Sequence, residues 1–383
     1  MTRQTFLHLA AIYGIAGAAS LWLQACTGSG ELPTLESTSS LPAKPELPER
    51  THTSPAEPSP TQTIAASDVQ TQTPPSTQAV TAGVTRVAFV NTRDRSYGVR
   101  RAIEMLGAAG LQGKQVFIKP NFNSADPAPG STHPQVLRPL IEQLWALGAE
   151  QILLGDRSGM GDTRQVMQKL GVFELAEELG CETVVFDEIP AQDWISLDSP
   201  GSHWKRGFLF ARPCLEADAI VQACCLKTHR YGGHFTLSLK NSVGLVAKHD
   251  PLDGYNYMDE LHGSPHQRRM IAEINTAYQP ALIILDGVEA FVNRGPDQGK
   301  RVDSQVILAG TDRIAIDAVG VALLRYFGTT KEVSRGKIFN QDQIERAVKL
   351  GLGVDSPDKI ELVTGDAESE AYAEQIRLEL LKG

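Results

Sequence analysis

The sequence predicts an α/β fold: a mainly parallel or mixed sheet with helices on both faces, and long functional loops at the carboxyl ends of its strands. Three observations predict it. From Val84 onward, short apolar runs of strand length alternate with stretches of helical periodicity. Clusters of Gly, Pro, Asn and Asp with charged residues follow several of those runs. The composition, 42% hydrophobic and 21% charged over 383 residues, is that of a globular chain long enough to bury a sizeable core.

Residues 1–26 read as an export signal. Arg3 precedes an apolar stretch from Phe6 to Leu23, closed by Leu23-Gln24-Ala25-Cys26. A small residue directly before a cysteine at the end of such a run marks a lipid acceptor, so Cys26 is expected to be lipidated. The chain is then expected at the cell membrane, lipid-anchored and facing the extracytoplasmic side. The competing reading is an uncleaved anchor helix, for which a run of roughly 17 to 18 residues is marginal. Thr2-Arg3-Gln4-Thr5-Phe6-Leu7 looks like a twin-arginine motif with Gln4 in place of the second arginine, which leaves the export route open.

Residues 27–83 carry Pro, Ser and Thr at about half of all positions and no aromatic residue, too little apolar surface to offset chain entropy. They read as a disordered tether, semi-extended through its prolines.

Residues 84–383 read as one α/β domain. Strands are expected over 86–91, 115–119, 151–155, 183–186, 219–223 and 281–286, and helices over 97–109 and 134–147. Polar clusters fall at the strand ends: Lys119-Pro120-Asn121, Asp156-Arg157-Ser158-Gly159, Lys227-Thr228-His229 and Asp286-Gly287. Any one of them fits a solvated turn, but four along the functional edge of a parallel sheet favour a shared site.

The net charge of −9 argues against nucleic acid as a partner, because phosphate binding needs clustered Lys and Arg in excess. A small anionic molecule in a locally basic pocket remains compatible with it. The five cysteines, Cys26, Cys181, Cys214, Cys224 and Cys225, show no C-x-x-C spacing, hence no iron–sulfur cluster motif and no zinc clip. Cys224 and Cys225 lie in the apolar run 219–226 and read as small buried thiols.

The densest chemistry lies between Lys227 and His266, which holds five of the nine histidines together with Lys227, Lys240 and Lys248. The segment reads as a long irregular loop, with Leu237, Leu239, Val243 and Leu245 packing so as to aim Lys240 and Asn241 inward. Neutral imidazoles move protons or ligate metals near neutral pH, and lysines fix carboxylates or phosphates. His262 and His266 have H-x-x-x-H spacing, but Gly263 and Pro265 oppose one continuous helix and a metal there. Asp312 reads as a helix cap. Asp317, among Ile314, Ala315, Ile316, Ala318 and Val319, needs a partner that a lysine or histidine of the loop would supply. Dinucleotide, nucleophile-elbow and P-loop spacings are all missing, although the stretch from Gly155 to Gly161 offers backbone N–H groups to an anion.

Taken together, Ile118-Lys-Pro-Asn121, Thr132-His-Pro134, Gly155-Asp-Arg-Ser158, Leu226-Lys-Thr-His229, Leu239-Lys-Asn-Ser-Val-Gly244, Asp286-Gly287, Gly295-Pro296 with Gly299, and Asp312 with Asp317 resemble the bacterial and archaeal family catalogued as domain of unknown function 362. The resemblance implies exported relatives, some carrying ferredoxin-like modules, and so redox or metallocofactor company through a separate redox partner. A vaguer architectural likeness to lactate racemase-type enzymes stays at the level of fold and carries no cofactor residues across.

The resulting expectation is an enzyme, isomerase- or redox-associated, acting on a small anionic substrate. Lys119, Lys227 and Lys240 bind charge beside Asn121 and Asn241, His229 is acid or base, and Asp156 and Asp317 orient them. Asp156, Ser158, Gly159 and Gly295 are the candidate cofactor contacts, with His229 and Asp156 as ligands should a divalent metal bind. The alternative is a membrane-tethered protein that captures a metal or anionic ligand without turnover.

Overall fold

The computed structural model describes residues 83–108, 110–198 and 201–382. Cys26, the export signal and nearly all of the expected tether lie outside the described residues.

The described residues form one large sheet and a small hairpin. Strands β1 (Thr85–Asn91), β2 (Gln115–Lys119), β3 (Gln151–Asp156), β4 (Glu182–Val185), β7 (Ala219–His229), β9 (Pro280–Phe291), β11 (Val306–Gly310) and β12 (Ile360–Val363) run in the order β12-β1-β11-β9-β7-β2-β3-β4. Strands β4, β3, β2, β7 and β9 are mutually parallel, β11 is reversed between β9 and β1, and β12 is parallel to β1. A mainly parallel sheet with helices on its faces is therefore the architecture. Strand β7 is buried at all eleven positions, as a central strand covered on both faces must be.

Side-chain caps start the helices: the one expected over 97–109 runs from Arg95 to Leu106, and those beginning near Pro134 and after Asp312 start as expected. Asp94 caps the helix Arg95–Leu106, His133 caps Pro134–Ala146 with Pro at its first turn, and Asp312 caps Arg313–Tyr326 by accepting from Ile314 N and Ala315 N. Arg95–Leu106 and Pro134–Ala146 cover one face through Val99, Ile103, Leu137 and Ile141. Arg313–Tyr326 and Ala367–Lys382 cover the other through Ile316, Val319, Leu323 and Ile376. A third cluster, with Trp204, Phe208 and Phe210, lies around the hairpin of β5 (Trp194–Leu197) and β6 (Phe208–Ala211).

Two expectations are corrected. Strands β7 and β9 do not stop at Ala223 and Asp286 but continue to His229 and Phe291, because β8 (His234–Thr236) folds back on β7 and β10 (Arg301–Val302) on β9. Those hairpins satisfy the extra backbone groups, so polar residues that mark strand ends in sequence sit inside strands here. The segment from Lys227 to His266 is likewise not an irregular loop. It contains the end of β7, β8, the short helix Ser238–Asn241, a tight turn over Ser242–Leu245, and the helix Tyr257–Gly263. Leu237, Leu239 and Leu245 are fully buried and hold this segment against the sheet.

Candidate functional site

The carboxyl ends of β2, β3 and β7 deliver Lys119, Asp156 and His229 to one cavity of about 340 Å³. Ligands gather at this edge of parallel sheets because strand ends and helix starts leave backbone groups and loops there. The short helix after β8 adds Lys240 and Asn241, and the loop after β3 adds Arg157 and Gly159. Tyr231, Met160 and Asp259, all exposed, line it as well.

A chain of buried polar contacts runs beneath the cavity. Lys227 Nζ donates to Asn121 Oδ1 (2.7 Å), Asn121 Nδ2 to Asn241 Oδ1 (3.2 Å), and Lys119 Nζ to the same Asn241 Oδ1 (3.2 Å). Lys119 then pairs with Asp156 at 2.7 Å, both being at most 2% exposed. Asp156 also accepts from Phe122 N and Arg157 N (2.7 Å each). Burial pushes the Asp156 carboxyl up, while Lys119 and the two N–H groups pull it back. Each partner fixes the next, so the two asparagine amides are oriented and the site is rigid.

Gly244 shows how tightly the chain packs on this pair. A β-carbon there would sit 2.3 Å from Asp156 Oδ1 and 2.7 Å from Lys119 Nζ. Only a residue without a side chain lets the backbone pass.

Cationic charge exceeds anionic charge in and directly behind the cavity. Arg157, 3% exposed, donates only to backbone carbonyls of Val246, Val243 and Ser158 and to Met258 sulfur, with no carboxylate in contact. The Lys240 ammonium makes no hydrogen bond or ion pair with the described residues. Burial, reinforced by the charges of Lys227 and Arg157, brings its pKa down to about 7. Burial also pushes His229 well below the usual imidazole range, and Lys240, His262, Lys227 and Arg230 push the same way. His229 is therefore neutral at pH 7. Three buried polar atoms in the cavity wall lack a partner: Asn123 Nδ2, His229 Nδ1 and Thr236 Oγ1. Buried polar atoms are nearly always satisfied, so three orphans around one space point to a ligand that satisfies them.

Of the residues put forward from sequence, Lys119, Asn121, Asp156, Gly159, His229, Lys240 and Asn241 line the cavity together. Lys227 stands behind the wall, its ammonium held by Asn121 Oδ1 and the Gly130 carbonyl. The others are elsewhere. Asp317 meets no lysine or histidine: it accepts from Ser238 N (2.8 Å) and Leu239 N (3.3 Å), capping the short helix that carries Lys240. Burial pushes its carboxyl up to about 8. Gln343 Nε2 lies 3.5 Å from Asp317 Oδ2, while Gln343 Oε1 is a buried acceptor without a donor. Asp317 is thus a positioning group for Lys240.

Ser158 is turned from the cavity, its N–H spent on Thr163 Oγ1. With Arg157 N on Asp156 and Met160 N on the Asn123 carbonyl, this loop retains few N–H groups for an anion. Gly295 ties the next loop to β7 through Thr228 Oγ1 and Arg230 N, and its neighbour Pro296 forms the wall. Asp286 goes to Arg95 at 2.8 Å, away from this space.

A divalent metal does not fit the donor set. His229 and Asp156 share the cavity, but Asp156 is occupied by Lys119 and two N–H groups, and among the described residues no group of three or more His, Cys, Asp or Glu is placed to hold an ion. His262 lies on the helix Tyr257–Gly263 and lines the cavity, whereas His266 lies in the turn before Gln267–Ile274 with its ring tilted against that of His203. Cys224 and Cys225 are buried free thiols, the latter pushed up to about 11 by burial.

Sequence reasoning does not reach Asn123, Arg157 as a cavity residue, Thr236 or Asp259. Arg157 lay inside a quoted cluster, but nothing local distinguishes an arginine bound to carbonyls from a solvated one.

Comparison with known proteins gives three findings. The family model described as "Domain of unknown function (DUF362)" matches residues 116–322, which contain every cavity residue named above. The chain is 25% identical over 233 residues to the thylakoid-associated protein sll1697 of Synechocystis sp., covering 59% of this chain and 69% of that protein. Among solved structures, the lactate racemase apoprotein from Thermoanaerobacterium thermosaccharolyticum aligns at a TM-score of 0.40 and 15% identity, over 77% of this chain and 86% of that one.

Proposed function

The chain belongs to the domain of unknown function 362 family, and from that premise we propose that it is an enzyme acting on a small anionic molecule at the carboxyl ends of β2, β3 and β7. One observation carries the reading. The one buried carboxylate of the cavity wall among the described residues is already matched by Lys119, which leaves the cations Arg157 and Lys227 without an anion in contact. Buried cations without counter-charge are costly, and a bound carboxylate or phosphate would offset that cost.

In this reading the Lys119–Asp156 pair and the asparagine chain fix the geometry, and Arg157, Lys119 and Lys227 hold the ligand through their field. Neutral His229 and the Lys240 amine exchange protons with it. Proton movement beside a carboxylate fits an isomerase-like reaction better than electron transfer. We also propose that Cys26 is lipidated and holds this domain at the extracytoplasmic face of a membrane, with segment 27–83 as its tether. Among the described residues no helix is long and apolar enough to cross a membrane.

Calorimetric titration with propanoate, pyruvate and inorganic phosphate tests anion binding. Saturable binding that weakens with salt, and weakens about tenfold or more in Lys240→Met, is the expected result. No saturable binding by any of the three overturns the reading. Deuterium exchange from solvent into bound pyruvate, followed by NMR, then separates catalysis from capture: binding without exchange assigns the site to ligand capture.

A further inference from the structure

The cavity holds two other lysine ammonium groups in or behind its wall, and the contrast with Lys240 is chemical. Lys119 spends its protons on Asp156, the Pro120 carbonyl and Asn241, and Lys227 on Asn121 and the Gly130 carbonyl. Those two are built as cations. Lys240 is 8% exposed and has no acceptor among the described residues, which suits a neutral amine with a free lone pair. We propose that Lys240 is a nucleophile that forms a Schiff base with the carbonyl carbon of a 2-oxo acid held in this cavity. The proposal rests on the anion-binding reading above and names its substrate class.

Placement supports it. Lys240 Cε and His229 Nδ1 lie 2.8 Å and 3.0 Å from the point that a β-carbon on Gly233 would occupy, so the end of the Lys240 side chain and the imidazole meet beside a bare backbone. His229 Nδ1 and Thr236 Oγ1, two of the orphaned polar atoms, lie on the β7–β8 hairpin that leads into this helix, and both line the cavity. A carboxylate suits the field of Arg157, Lys119 and Lys227, and a carbonyl next to it would lie within that small space. Burial, reinforced by the charges of Lys227 and Arg157, favours the free amine of Lys240 at neutral pH, the means by which a buried lysine becomes nucleophilic.

The step balances without an oxidant or reductant. The Lys240 nitrogen lone pair bonds to the carbonyl carbon, and the carbonyl oxygen takes up a proton to give a carbinolamine. The carbon–oxygen bond then breaks and the oxygen leaves as water, carrying both protons that the amine loses. Neutral His229 moves those protons from nitrogen to oxygen.

The experiment is reductive trapping of the full-length protein with sodium cyanoborohydride in the presence of pyruvate, glyoxylate or 2-oxoglutarate near neutral pH. Intact mass is expected to rise by one oxo acid less one oxygen atom, and peptide mapping to place the adduct on Lys240. Lys240→Arg, which keeps a long basic side chain but has no nucleophilic amine, abolishes the adduct, and His229→Asn, folded by its melting curve, slows trapping about tenfold or more. Adducts with none of the three acids, adducts spread evenly over surface lysines, or an adduct that persists in Lys240→Arg each overturn the proposal. Propanoate has the carboxylate but no carbonyl, and its binding separates the two claims. Propanoate binding without trapping removes the Schiff base and leaves the anion site; absence of both removes the two together.

Discussion

Asp317 illustrates how a single buried carboxyl acts at a distance from the chemistry. It is fully buried, its neighbours on the helix are apolar, and its acceptors are committed to the N–H groups of Ser238 and Leu239. Its pKa rises from an ordinary 3.8 to about 8, so the folded domain binds a proton there that the unfolded chain has already released. A group raised in this way contributes stability that is fully present below about pH 4 and is lost as pH climbs through about 8. Asp317→Asn keeps an acceptor for Ser238 N and removes the titration. Urea denaturation at several pH values is expected to show a decline in stability between pH 4 and 8 for the wild type and a flatter profile for the variant. Parallel profiles would show that Asp317 does not carry the extra proton.

The element on which the site depends most is the β7–β8 hairpin with the helical turn that follows. β8 places Thr236 in the cavity wall, pairs Lys227 with Thr236 and His229 with His234, and leads directly into the helix of Lys240 and Asn241. Phe235 anchors it: the residue is fully buried and packs with Leu237, Leu239 and Leu285 in the core beneath the helix Arg313–Tyr326. Phe235→Ala is expected to cost about 3–5 kcal/mol, the range for a buried phenylalanine truncated to leave a cavity. Equilibrium unfolding measures that cost, and a loss below about 1 kcal/mol would show that the hairpin is held by its backbone pairing alone.

At the scale of the whole molecule, the described domain carries its own cores on both faces of the sheet, built from residues 87 to 380. Deleting residues 1–83 is therefore expected to shift Tm by less than about 2 °C in calorimetry. Cys26→Ser is expected to move the full chain from the membrane fraction to the soluble fraction at unchanged Tm. A destabilised deletion would show that the first 83 residues pack on the domain, and a variant still in the membrane fraction would remove the lipid anchor.

Local pattern by itself determined the repeating framework: β1, β2 and β3, the helices capped by Asp94, His133 and Asp312, and the apolar run that buries Cys224 and Cys225. These depend on periodicity and on side chains acting within a few residues of their own backbone, which a sequence displays directly. Lys119, Asn121, Asp156 and His229 were readable for a related reason, since the ends of neighbouring parallel strands meet wherever the sheet forms. Tertiary structure alone decided where β7 and β9 end, because a strand continues for as long as a hairpin partner satisfies its backbone. It also decided which charges are matched: Asp286 to Arg95, Asp317 to the backbone of Ser238, Asp156 to Lys119, and Lys240 to nothing among the described residues. Those pairings join residues tens to nearly two hundred positions apart, and a charge's partner, or its lack of one, is set by packing in space, which no local spacing encodes.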